Sequence, residues 1–81
     1  MLIKHFNKGD SISVGLSTIT YTGRDQRGAR FEVHLPGYGS TSSTGSFDYR
    51  IGDKLIRVSC RKSTENYVEL GIEAPKEIKI S

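Results

Sequence analysis

The residues of this chain that could do chemistry unaided are few, and their spacing does not serve it. Cys60 is the single cysteine and is followed by Arg61, a cation that favours a thiolate. A thiolate nucleophile also needs a base oriented beside it, and alternation groups Cys60 with Ile56 and Val58, on the side of a strand that faces a core. There a cysteine serves as a small hydrophobe. His5 and His34 have no partner at metal-ligand spacing, and one cysteine with two histidines falls short of the zinc patterns. The hydroxyl-rich run GYGSTSSTG (37–45) lacks the strand-to-helix setting of a nucleophile elbow, and no glycine loop ends in Lys-Ser/Thr to cradle phosphate. The expectation is a protein that is not an enzyme and holds no metal or cofactor.

What remains is binding chemistry. Twelve Lys and Arg against nine Asp and Glu leave a net charge of +3, compatible with an anionic partner and too small to identify one. Arg24, Arg27 and Arg30 gather around one expected turn, and Arg57, Arg61 and Lys62 lie near another. Such clusters meet phosphate in nucleic-acid binders. They also guard hairpin tips and sheet edges against unwanted pairing.

The elements that would carry these side chains are strands. Ile12 and Val14 share a face, as do Ile19 and Tyr21. Ala29, Phe31, Val33 and Leu35 alternate with Arg30, Glu32 and His34, and Ile56, Val58 and Cys60 follow the same period. Val68, Leu70, Ile72 and Ala74 alternate with Glu69, Gly71 and Glu73, and FDYRI (47–51) is a further short run. Turn residues fall at 23–28, at 62–66 and in the 37–45 run. No helix of useful length can be drawn, so the fold class is all-β. The chain has 81 residues, and one small domain of such a size buries only roughly 60% of its unfolded surface. Self-association is one way to complete so thin a core. The apolar runs are far below the roughly 20 residues of a membrane-spanning helix. No charged leader is read at the start, and the lone cysteine fits a reducing compartment. The expectation is a cytoplasmic protein with no membrane partner.

The sequence also repeats weakly. Val14-Gly15 aligns with Ile51-Gly52, Ile19 and Tyr21 with Ile56 and Val58, and ARFEVHLP (29–36) with VELGIEAP (68–75), if the second copy's turn is longer. One domain over 1–81 then holds two three-strand meanders, at about 11–36 and 47–75, joined by a flexible linker at about 37–46. MLIKHF (1–6) precedes the pair and KEIKIS (76–81) follows it. A final strand needs a partner for its open edge, and the partner expected here is MLIKHF.

The opening MLIKHFNKGDSISVG, the later IGDKLIRVSC and above all YVELGIEAPKEIKIS resemble the carbon storage regulator (CsrA/RsmA) family. That family is an intertwined homodimer of five-stranded subunits that binds messenger RNA at GGA motifs, and each RNA surface combines the first strand of one subunit with the last strand of the other. The resemblance implies intertwined antiparallel strands and a chain that writes such a dimer as one molecule, a pseudo-dimeric monomer, with a homodimer as the alternative. It implies an RNA partner, a messenger leader or a small RNA. It also implies a site of Lys4, His5, Phe6, Asn7 and Lys8 on the first strand and its turn, with Pro75, Lys76, Ile78, Lys79 and Ile80 on the last. In this reading Lys4, Lys8, Lys76 and Lys79 hold phosphate while Phe6, Ile78 and Ile80 pack bases. The family's decisive arginine on the first strand is replaced by Phe6, and a second key arginine would follow Ser81. The rival expectation is therefore a protein-interaction module, an antagonist or decoy of phage or mobile-element origin that engages a regulatory protein and has lost RNA binding.

Overall fold

The computed structural model describes residues 1–81 and is built of antiparallel strands without a helix. The strands are β1 (Leu2–Asn7), β2 (Ser11–Val14), β3 (Ser17–Asp25), β4 (Gly28–Leu35), β5 (Gly39–Thr44), β6 (Phe47–Ile51), β7 (Lys54–Ser63) and β8 (Tyr67–Glu73). They form two four-stranded sheets, ordered β1-β8-β7-β6 and β2-β3-β4-β5. The alternating residues named above meet between the sheets. Phe6, Ile12, Val14, Ile19, Tyr21, Ala29, Phe31, Val33, Ile56, Val58, Val68, Leu70 and Ile72 are all buried there, and Leu35, Cys60 and Ala74 pack on their margin. The period-2 pattern works because the meander strands have one face on this shared interior and the other in water.

The two sheets are built alike. Each contains a meander, β2-β3-β4 or β6-β7-β8, and each meander's last strand carries a fourth strand antiparallel to it: β5 on β4, and β1 on β8. Ile19 faces Val33 as Val58 faces Ile72, and the register slips by one residue between Tyr21 and Gly23 as it does between Cys60 and Lys62. These bulges leave Thr22 and Arg61 as the extra residues. Gly23, at φ +124°, allows the first bulge and lies against the Lys8 stem. By this geometry Ile19 corresponds to Val58 and Tyr21 to Cys60, whereas the sequence alignment set them against Ile56 and Val58. The second copy's extra residues lie in its β6-β7 hairpin, which pairs from Phe47/Val58 to Ile51/Lys54, while β2-β3 pairs only from Ser11/Thr20 to Val14/Ser17.

Three expectations are corrected. Residues 39–44 are a strand within the expected linker, because β4 offers an open ladder and β5 closes it from Arg30/Thr44 to Leu35/Gly39. The segment after β8 is a turn more than a strand: the Ile78 amide donates to the Pro75 carbonyl, and only the last residues are extended. Its partner is β2. Ser13 and Ser81 exchange both backbone bonds at 2.9 Å, and the Gly15 amide donates to the Lys79 carbonyl at 2.7 Å. The expected pairing of KEIKIS with MLIKHF does not occur; β1 lies along β8 in one sheet while the tail borders the other. The alternation of Ile78 and Ile80 is satisfied equally well by either edge, and the two isoleucines pack against the core from this one.

The sheets are tied together at the hairpin ends. Ser17, buried on β3, donates to the Val14 carbonyl at 2.6 Å. Its hydroxyl also shares a hydrogen bond with the Tyr49 hydroxyl of β6 at 2.9 Å. Burial raises the Tyr49 phenol above its usual range, and the bond to Ser17 offsets part of that rise. Lys54 Nζ reaches Glu77 at 2.7 Å and pins the turn that leads into the tail.

Two outcomes follow from this packing. Phe6 is completely buried, so Phe6→Ala should cost about 3–5 kcal/mol, measured as a lowered urea midpoint with an unchanged slope. The hydrogen bond from Lys54 lowers the Glu77 pKa below the ordinary glutamate range. A depressed folded-state pKa gives stability that is present above the unfolded value and lost as pH falls through the folded one. An NMR titration should therefore place the Glu77 midpoint low, and Lys54→Met should raise it toward the ordinary range.

Candidate nucleic-acid interface

The outer face of the β1-β8-β7 sheet collects the residues best suited to an unpaired base. Phe6 points inward, so Ile3, His5 and Asn7 of β1 point out, and Tyr67, Glu69 and Gly71 of β8 lie on the same side. Register sets His5 opposite Glu69 and Asn7 opposite Tyr67, which makes His5 and Tyr67 diagonal neighbours. Their rings stack at 4.2 Å between centroids with 15° between planes. From the other side Lys62 of β7 brings its ammonium 5.7 Å from the Tyr67 ring centre. The nearby Tyr67 hydroxyl, as hydrogen-bond partner, raises the Lys62 pKa above its usual range. The result is a row of imidazole, phenol and ammonium across three strands.

A second cation lies beside this row. Arg61, the residue extruded by the β7 bulge, reaches Glu69 at 3.8 Å and Met1 Sδ at 3.7 Å. Gly71 gives it room: a Cβ there would stand 3.3 Å from the Arg61 side chain and 2.6 Å from Met1 Sδ. Lys4 and Lys8 are exposed at the edge strand and the turn that follows, and Asn7 and Asp10 hold that turn through a 2.8 Å bond from the Asn7 amide to the Asp10 carboxylate.

The structure therefore divides the residues expected to bind RNA. His5 and Asn7 are exposed on the outer face, whereas Lys4 and Lys8, also exposed, lie away from it: Lys4 is in the phase of Phe6 and the Lys8 stem lies against Gly23. Phe6 is not available: its ring is fully enclosed, and the expectation that it stacks a base is corrected to a core role. Ile78 and Ile80 are half-buried against the core and likewise fill the interior, with Pro75 half-buried in the turn before them. Lys76 and Lys79 are exposed on the tail, along the other sheet. The single ladder expected to combine both strands is absent, since β1 and the tail have different partners. Tyr67 and Lys62 were missed as a pair. The signal was present: Tyr67 and Glu69 are the residues of β8 out of phase with Val68 and Leu70, and an aromatic on a solvent-facing phase needs a reason.

Neither histidine has metal-site company; no group of three or more His, Cys, Asp or Glu side chains converges. His34 Nδ1 pairs with the Ser40 hydroxyl at 3.0 Å on the outer face of the second sheet. Partial burial raises the Cys60 pKa, with Arg24 as a weaker opposing influence. No helix is long and apolar enough to cross a membrane.

Comparison of the chain with protein-family models, with curated proteins and with solved structures gives no match.

Because burial holds its thiol up, Cys60 should react with a thiol reagent at neutral pH more slowly in the folded protein than in urea. Equal rates in the two states would show that the thiol is neither shielded nor shifted.

Proposed function

We propose that the chain is a non-catalytic RNA-binding protein that grips single-stranded or loop segments of messenger or small RNA, in the manner of the carbon storage regulators that its ends resemble. The observation that carries this reading is the stack of exposed His5 on half-buried Tyr67, flanked by Lys62 and Arg61. Aromatic faces take unpaired bases, each worth about 1–3 kcal/mol, and neighbouring cations track the phosphates between them. Sequence-specific RNA recognition favours splayed loop bases, which a flat strand surface can reach and a duplex cannot offer.

The roles divide by side chain. His5 would stack a base on the ring face turned away from Tyr67, which backs it, while Lys62 and Arg61 would neutralise phosphates. Asn7 and Glu69 lie beside the rings and would read base edges. The mechanism is occlusion: a protein seated on a leader loop denies it to the ribosome or to a nuclease. The action is post-transcriptional, and no bond is made or broken. Phosphate contacts set most of the affinity and its salt dependence, while base contacts set selectivity.

A titration with two RNA hairpins, one with GGA in its loop and one scrambled, tests the reading. The GGA loop should bind more tightly, with affinity falling as salt rises. Tyr67→Ala should weaken binding by about 1–3 kcal/mol, and Lys62→Ala should flatten the salt slope by about one counterion. Absence of binding to either hairpin at modest salt would favour the protein-interaction reading instead.

A further inference from the structure

The two hairpins that begin the meanders differ in what covers their outer edge. In β2 the edge is closed: the Ser13 and Gly15 backbone groups are taken by Ser81 and Lys79, and Ile12 and Val14 behind them are buried at 4% and 0% exposure. In β6 it is open. The strand has β7 as its one neighbour, and no backbone bond outside that ladder involves it. Its inward residues Phe47, Tyr49 and Ile51 are correspondingly only half-buried. Beside it lies a cavity of about 210 Å³ lined in part by Leu16, Leu35, Tyr38 and Ile51, and Leu16 and Tyr38 are 81% and 91% exposed. Exposed edges with apolar flanks are templates for another strand.

The phase of the open groups follows from the turn. Gly52, at φ +63°, makes the two-residue hairpin between Ile51 and Lys54, and the pair flanking such a turn exchanges both hydrogen bonds. Tyr49 and Phe47 share that phase, so Asp48 and Arg50 direct their amides and carbonyls away from the sheet. The matching hairpin obeys the same rule: Ser13, next to Val14, is the residue that exchanges both bonds with the tail.

We propose that the β6 edge is a self-association surface, on which the β6 of a second copy of this chain pairs antiparallel about a two-fold axis through Tyr49. The sequence Phe47-Asp48-Tyr49-Arg50-Ile51 is its own complement in that register. Asp48 faces the Arg50 position of the other copy and Arg50 its Asp48 position, giving two cross-strand ion pairs on the outer face. Phe47 meets the Ile51 position on the inner face, and Tyr49 meets its own counterpart in the pair without hydrogen bonds. All four outward-facing peptide groups are then bonded, and an eight-stranded sheet runs through the dimer. A two-fold contact of this kind closes on itself and does not propagate. The surface is separate from the His5–Tyr67 row, so its occupancy does not depend on RNA binding.

Charge exchange tests the register. The full chain is followed by sedimentation velocity across a wide concentration range, with amide exchange at Asp48 and Arg50 read by NMR. The expected result is a reversible shift from the monomer mass of 9.0 kDa to twice that mass, with protection of those two amides growing in step. Arg50→Asp sets like charges opposite each other in both pairs and should weaken association about tenfold; it faces Leu55 within its own sheet, so the fold is spared. Asp48→Arg should do the same, although it also faces Arg57, and circular dichroism checks its folding. The double variant Asp48→Arg/Arg50→Asp should restore dimerisation. A chain that stays monomeric at all concentrations overturns the proposal, as does a dimer indifferent to Arg50→Asp. Protection of the β6 amides only on adding a peptide copying Lys76–Ser81 also overturns it, by showing that the edge takes a foreign strand and not its twin.

Discussion

Backbone pairing between residues far apart in the chain is the constraint on which everything else in this molecule rests. The first strand lies along residues 67–72, and the closing residues lie along β2, so each end of the chain completes the meander encoded nearer the other end. Without these exchanges the inner faces of β8 and β2 would border water, and a core made by only eight short strands would be breached at two places. The apolar side chains supply the free energy, but the ladders decide which faces become interior.

That division explains what could be read from the residues. Alternation identifies the buried set well, from Ile12 through Ile72, because the strand period is a local property and each sheet has one wet face. Pairing partners are a different kind of information. Ile78 and Ile80 satisfy their period on β2 as readily as they would on β1, and nothing in KEIKIS itself selects one edge. Residues 39–44 escaped for the converse reason: Gly, Ser and Thr carry no apolar alternation, and β5 exists because β4 needs a neighbour and not because its own side chains demand burial. Phe6 shows the hazard of carrying a role across by position. An aromatic at a binding register was read as a stacking surface, while the phase it shares with the core places its ring inside.

The candidate interface was legible only in part. Of the exposed residues at the start of the chain, Lys4 and Lys8 lie off the row, and His5 and Asn7 are the part of it that one short segment reveals. Tyr67 and Lys62 joined them only through the diagonal geometry of three adjacent strands and the bulge that turns Arg61 outward. A one-residue register difference would separate His5 from Tyr67 and dismantle the row. The bulge beside Lys62 thus matters as much to the surface chemistry as the identity of any single side chain.

The antiparallel union of β1 with β8 has one more consequence, for how the molecule reaches its native form. Leu2 must find Ile72, and Asn7 must find Tyr67, across nearly the full contour of the polypeptide. Loop closure of that span is entropically costly and sets a slow step in strand-rich topologies. During synthesis at the ribosome the amino-terminal ribbon therefore waits, solvent-exposed and without a mate, until β8 has emerged. Such a segment is a natural client for chaperones.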